Sequence, residues 1–264
     1  MEPYLLFFDI DGTLRDDVTG EVSDETKEAV LKARKNGHFA FLNTGRSFAE
    51  LDPEIMGVGF DGAVCGCGTY VDFRGRNLLR KDIFGEEAER ITDLLEKCNI
   101  EAILEGPEHF YVSNKTRNEK LLVVKEYFGE EVNEKCRFWQ DETPTFQKFS
   151  IWLNEDSDFE TLHQELKEEF DFIKRADDFY EVIPMGHSKA TGMDCVGKHL
   201  GIKQKHMVAM GDSTNDLSML DFAGVSVAMG NSAESIKKRV DFVTKSVEED
   251  GVAYALEHFG FISA

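Results

Sequence analysis

The chain is written in one rhythm at both ends and in another between them. Residues 4–8 (YLLFF) are an apolar run, residues 24–36 (DETKEAVLKARKN) repeat apolar positions at helical spacing, and residues 38–43 (HFAFLN) are apolar again. Ser23 is placed to cap that helix and Gly37 to stop it. SFAELDPEI (47–55) reads as a short helix and GAVCG (62–66) as a third strand. Strands that alternate with helices and are apolar on both faces predict a parallel sheet covered on both sides. The alternation returns from residue 188: helix KATGMDCVGKHLG, strand HMVAMG, helix NDLSMLDFAG, strand VSVAMG, helix SAESIKKR, strand DFVTK and helix GVAYALEHF.

After about residue 74 the order becomes helix, strand, strand, roughly twice over. EEAERITDLLEKCN, NEKLLVVKEYFG and DFETLHQELKEEF are helical in spacing, whereas EAILEG, HFYVS and FQKFSIWLN read as strands and FDFIKR with FYEVIPM as a hairpin. The simplest arrangement is an α/β fold: a doubly wound, Rossmann-like parallel-sheet core made by residues 1–81 and 186–264, interrupted by an inserted α+β domain, residues 82–185.

In such a sheet ligands bind where the strands end at their carboxyl edge. Three of those positions turn abruptly polar: DIDGT (9–13), NTGR (43–46) and GDSTND (211–216), while Lys189 opens the helix where the first rhythm resumes. If extension persists through Ile10, the carboxylates of Asp9 and Asp11 project to one side. Asp212 and Asp216 are four apart, hence stacked on one face if the helix has begun, with Asn215 between them. Four acids at one sheet edge repel one another without a cation, and an all-oxygen donor set suits magnesium. Thr44 and Gly45 follow a strand and precede a helix, so a hydroxyl and backbone N–H groups can hold an anion there. A carboxylate nucleophile, a neighbouring carboxylate, an anion-binding Thr, a Lys and magnesium together suffice for phosphoryl transfer through an aspartyl-phosphate.

Charge narrows the partners. Asp and Glu number 51 against 30 Lys and Arg, a formal charge of −21, which opposes nucleic acid and anionic lipid and leaves a small phosphorylated metabolite acceptable only beside a local cation. The chain has no apolar run near the ~20 residues a membrane helix needs. MEPYLLFF carries no basic leader, and with five scattered cysteines the expectation is a cytoplasmic, reducing location. Cys65 and Cys67 form a lone C-x-C, read as buried or loop thiols rather than zinc ligands.

DIDGTL, NTGR, Lys189 in HSKATGM and GDSTNDLSML resemble the four motifs of the haloacid dehalogenase superfamily, in order. SVAMGNSAESIKKRVDFVTKSVEEDGVAYAL resembles the Cof-type phosphatases, whose C2B cap is inserted between the second and third motifs. The resemblance implies a magnesium-dependent phosphomonoester hydrolase acting on a small, sugar-like phosphate, with the insert as a cap closing over the leaving group. It implies Asp9 as nucleophile and Asp11 as the acid that protonates the leaving alcohol and then the base that activates water. Asp9 and Asp212 would bind magnesium through side chains, Asp11 through its backbone carbonyl, and Asp216 in the same shell or behind it. Thr44, Gly45, Lys189 and Asn215 would hold phosphoryl oxygens. Two stretches depart from the pattern: CGCGTY stands where an Asn-Gly-Ala-like turn is usual, and Arg15-Asp16 follows Leu14.

Arg46, directly after Thr44-Gly45, is a candidate for the substrate edge. Glu105, His109, Phe110, Tyr111 and His187 are further substrate candidates in or beside the insert. A phosphomutase of related architecture is a second enzyme reading, distinguished by isomerised sugar phosphate in place of free phosphate. A phospho-Asp signalling receiver is a third, disfavoured because Asp11 beside the acceptor promotes turnover.

Overall fold

The computed structural model describes residues 2–115 and 134–263. The helix read in NEKLLVVKEYFG (118–129) lies outside the described residues. The chain divides into two compact units, one of Met1–Gly45, Pro53–Leu79 and Ser188–Ala264, the other of Arg46–Asp52 and Arg80–His187.

The first unit is built on β1 (Leu5–Phe8), β2 (Phe39–Asn43), β3 (Gly62–Cys65), β4 (Tyr70–Phe73), β5 (Arg76–Arg80), β12 (Met207–Gly211), β13 (Val225–Ala228) and β14 (Phe242–Val243). They form one eight-stranded sheet in the order β14-β13-β12-β1-β2-β3-β4-β5. From β14 to β3 every pairing is parallel. The four residues of β1 are fully buried, the signature of a strand covered on both faces. Helix Asp24–Lys35 begins at Ser23, whose hydroxyl accepts from the Thr26 amide, and Gly37 follows its end at φ 94°.

One local expectation is corrected. Residues 47–55 are not one helix: a 3-10 turn, Phe48–Glu50, ends before a separate helix, Pro53–Gly57. Proline removes an N–H and disfavours a helical residue before it, so it starts a helix more readily than it continues one. The sheet continues past β3: β4 pairs with it antiparallel, Gly62 opposite Phe73, so the parallel sheet carries an antiparallel edge. The return passes through Gly66–Gly68, where Cys67 sits at φ 55°.

The second unit is a six-stranded sheet with helices Gly85–Lys97 and Phe159–Leu166. Its strands are β6 (Glu101–Glu105), β7 (Phe110–Val112), β8 (Cys136–Phe138), β9 (Lys148–Trp152), β10 (Phe170–Lys174) and β11 (Phe179–Pro184), in the order β10-β11-β9-β6-β7-β8. Side chains alternate across a strand, so Leu104, Phe149, Ile151 and Val182 share one core with Ala88, Ile91 and Leu95 of the first helix and Leu162 and Leu166 of the second. Glu105, Lys148, Ser150 and Glu181 take the opposite phase.

Candidate active site

Sheet register brings the motifs together. Phe8 of β1 pairs with Met210 of β12, and the Asp9 amide donates to the Met210 carbonyl at 3.0 Å, so the residues after both strands leave the sheet at one edge. Helix Lys189–Leu200 starts under a capping box made by Ser188 and Thr191. Its first residue is tied to β2 by Asn43 Nδ2, which donates to the Lys189 carbonyl at 3.2 Å.

Lys189 is 1% exposed. Its Nζ donates to Asp9 Oδ1 at 2.7 Å and to Asp216 Oδ1 at 2.6 Å. The other oxygen of Asp216 accepts from the amides of Asp212 and Ser213, both at 3.0 Å. Asp212 and Asp216 are therefore not stacked on a helix face. Asp216 lies in a 3-10 turn, Thr214–Asp216, and folds back to cap the segment that carries Asp212.

One oxygen from each of Asp9, Asp212 and Asp216 lies within 4.8 Å of the others. Burial first, and Asp216 second, push Asp9 up to about 8, and the same two causes push Asp212 up to about 7. Burial works against the charge on Lys189, but Asp216 and Asp9 outweigh it and hold its pKa above the ordinary lysine value. Three carboxylates thus share one ammonium. Among the described residues Asp212 Oδ1 is buried without a hydrogen-bond partner. A divalent cation fits this set: all donors are oxygen, negative charge is in excess, and one oxygen is unclaimed.

Asp11 is not one of that trio. The premise of extension through Ile10 fails, because the amides of Thr13, Leu14 and Arg15 all point to the Ile10 carbonyl and the chain turns there. Gly12 follows at φ 72°, where a Cβ would sit 2.6 Å from Asp212 Oδ2, so only glycine lets the turn run against Asp212. Thr44 is buried; its amide donates to the Val64 carbonyl at 2.9 Å and its carbonyl accepts from Cys67 at 3.2 Å. Its own N–H is therefore engaged in the sheet, and the cap of the following turn is Ser47, paired with Glu50. Gly45 closes this stretch of the first unit. Arg46 belongs to the second unit, 3.9 Å from Asp52. Asn215 accepts from the Ser213 hydroxyl at 2.5 Å.

Asn43 and Asn231 join the site without standing out as site residues in the sequence. The signal for Asn43 is a polar residue closing the apolar run FAFL, buried completely with its Oδ1 unpaired among the described residues. Asn231 Nδ2 donates to the Gly12 carbonyl at 2.8 Å. No described helix is long and apolar enough to cross a membrane. Among the described residues, which include all five cysteines, there is no disulfide.

The buried lysine held between two carboxylates, with a third acid beside them, thus sits at the carboxyl edge of the parallel sheet. The haloacid dehalogenase-like hydrolase model matches residues 6–256, and the chain belongs to that family. A longer Streptococcus pyogenes protein, whose name joins a phosphatase to a peptidyl-prolyl cis-trans isomerase, is 29% identical over 98% of this chain and 54% of its own length. The chain spans about half of that relative. The 5-amino-6-(5-phospho-D-ribitylamino)uracil phosphatase YitU of Bacillus subtilis is 28% identical over 98% of each chain. Among solved structures, the HAD subclass IIB sugar phosphatase BT4131 superposes with a TM-score of 0.79 at 27% identity, over 98% of this chain and 100% of its own.

Proposed function

We propose that the protein is a magnesium-dependent phosphomonoester hydrolase that acts through an aspartyl-phosphate on a small phosphorylated metabolite, a phosphate ester of a sugar-like polyol. The observation that carries the reading is the Lys189 bridge between Asp9 and Asp216, with the unclaimed Asp212 oxygen beside it. The substrate class is supported by the two named phosphatases, one a sugar phosphatase and one acting on a ribityl phosphate. Residues 82–185 are proposed as the inserted cap domain.

Asp9 attacks phosphorus, the ester P–O bond breaks, and Asp11 gives its proton to the departing alcohol oxygen. Asp11 then takes a proton from water as the water oxygen attacks the same phosphorus, and the bond to Asp9 breaks to free phosphate. Lys189 holds a phosphoryl oxygen and keeps Asp9 aimed, while Thr44, Gly45 and Asn215 hold the remaining oxygens and Arg46 the substrate edge. Magnesium would be held by Asp9, Asp212, the Asp11 carbonyl and Asp216. When bound it supplies the charge that keeps Asp9 ionised at neutral pH and offsets charge on the transferring group.

The test is phosphate release from a panel of sugar, nucleotide and cofactor phosphates, with and without magnesium. Release dependent on the metal and absent in Asp9→Asn is expected. No release from any phosphomonoester overturns the reading. Wild-type hydrolysis by Asp11→Asn would remove its proton-transfer role.

A further inference from the structure

Besides the ties of Arg15 to Val22 and Glu54, the Asp11 turn is held at Gly12 by a side chain that the proposed chemistry does not use, Asn231. Gly12 lies in the left-handed region, and glycine resists few other backbone settings, so the turn needs an external clamp to keep one geometry. Its backbone bonds to Ile10 and Arg15 are internal to the loop and would move with it. The bond from Asn231 Nδ2 to the Gly12 carbonyl, 2.8 Å, crosses to the loop after β13.

Asn231 is itself anchored. Its Oδ1 accepts from the Val247 amide at 3.1 Å, at the start of the 3-10 turn Val247–Glu249. The residue before it, Gly230, donates its amide to the Lys245 carbonyl at 2.8 Å, and a Cβ there would lie 2.5 Å from the Ser246 amide. Gly230 therefore allows the two loops the close approach that brings Asn231 to Val247. The neighbouring hydroxyls give no second clamp, since Thr13 Oγ1 and Ser232 Oγ are buried and unpaired among the described residues. The amide of Asn231 has a donor end and an acceptor end, and each is used on a different segment.

We propose that Asn231 is a positioning residue for the reaction: it fixes the Gly12 peptide and thereby aims the Asp11 carboxyl at the leaving-group oxygen. This rests on the reading of Asp11 as proton donor. It makes the effect of losing Asn231 depend on the leaving group. A good leaving group departs without protonation, whereas a basic one needs a correctly aimed acid. The quantity kcat/KM reports steps through phosphoenzyme formation and alcohol release, so it isolates this proton transfer from the later attack of water.

The experiment measures kcat/KM for p-nitrophenyl phosphate and phenyl phosphate in wild type, Asn231→Ala, Asn231→Asp and Asp11→Asn, with magnesium present and melting temperatures recorded. Asn231→Asp keeps an acceptor for Val247 but loses the donor to Gly12, and serves if the alanine variant does not fold. Both variants should widen the preference for p-nitrophenyl phosphate by about tenfold, in the direction Asp11→Asn shows more strongly. If Asp11→Asn widens the preference and both Asn231 variants leave it within about twofold of wild type, Asn231 does not position the acid. If Asp11→Asn leaves the preference unchanged, the assignment of the acid itself is wrong.

Discussion

Each unit buries a lysine between two carboxylates. In the inserted unit Lys148, 2% exposed, lies 2.8 Å from Glu105 and 3.1 Å from Glu181. In the core Lys189 lies 2.7 Å from Asp9 and 2.6 Å from Asp216. The surroundings separate them. Around Lys148 the acids are matched: Arg175 Nε donates to Glu181 at 2.6 Å and the Ser150 hydroxyl to Glu105 at 2.6 Å, so each oxygen of both acids has a donor. Burial works against Glu181, yet Lys148 and Arg175 hold it down to about 2, while burial still pushes Glu105 up to about 8. Each network faces a third acid: Glu50, which adds to the rise of Glu105, accepts from the Ser47 amide, whereas Asp212, pushed up to about 7, has a buried oxygen without a hydrogen-bond partner among the described residues. A closed network stabilises a fold; an open one with surplus charge awaits a ligand.

The widest separation is expected from the core acids. Asp9→Asn should cut phosphate release at least about a thousandfold, some 4 kcal/mol in the barrier, through loss of the nucleophile. Its melting temperature should not fall, because one of three crowded carboxylates is gone and Lys189 keeps Asp216. A clear loss of stability in a folded-state assay would show that the core network is as closed as the other. Lys148→Met should do the converse. It leaves Glu105 and Glu181 buried beside each other with one cation fewer, at a cost of about 3–5 kcal/mol in denaturant unfolding. A change below about 1 kcal/mol would mean that Lys148 is not what holds these acids together.

Metal binding sharpens the contrast further. Near-saturating magnesium should stabilise the wild type by about 2–3 kcal/mol, read as a rise in melting temperature. Asp212→Asn should lose most of that rise, and Glu181→Gln should keep it. An undiminished rise in Asp212→Asn would place the cation elsewhere.

The convergence of Asp9, Lys189, Asp212 and Asp216 is legible in sequence because each follows or opens an element of one parallel sheet, and register does the rest. Asp11 is less so, since its place depends on a turn at Ile10 and not on strand alternation. Asn43 and Asn231 escape because their partners are backbone carbonyls 146 and 219 residues away, and nothing local encodes that distance. Lys148 reads as the solvated phase of an alternating strand, QKFSIW; alternation tells which residues share a face, not whether that face meets water. The β3–β4 return hides in the short CGCGTY, where three buried residues with positive φ reverse the chain.

The smallest effect is the acid limb of stability. Glu181 has an ordinary carboxylate value of 4.5 and sits near 2 when folded, so between those values the unfolded chain binds a proton that the folded one does not. Its contribution is complete above the ordinary value and is lost as pH falls through that window, at no more than about 1.4 kcal/mol per pH unit. Asp9, Asp212 and Glu105, all raised, are already protonated in the folded state there and add no slope of this sign. Wild type should therefore lose stability from pH 4.5 toward pH 3 more steeply than Glu181→Gln, the difference being on the order of 1 kcal/mol in urea unfolding. Parallel profiles would mean that Lys148 and Arg175 do not hold Glu181 ionised, and the closed character of this network would then rest on hydrogen bonds alone.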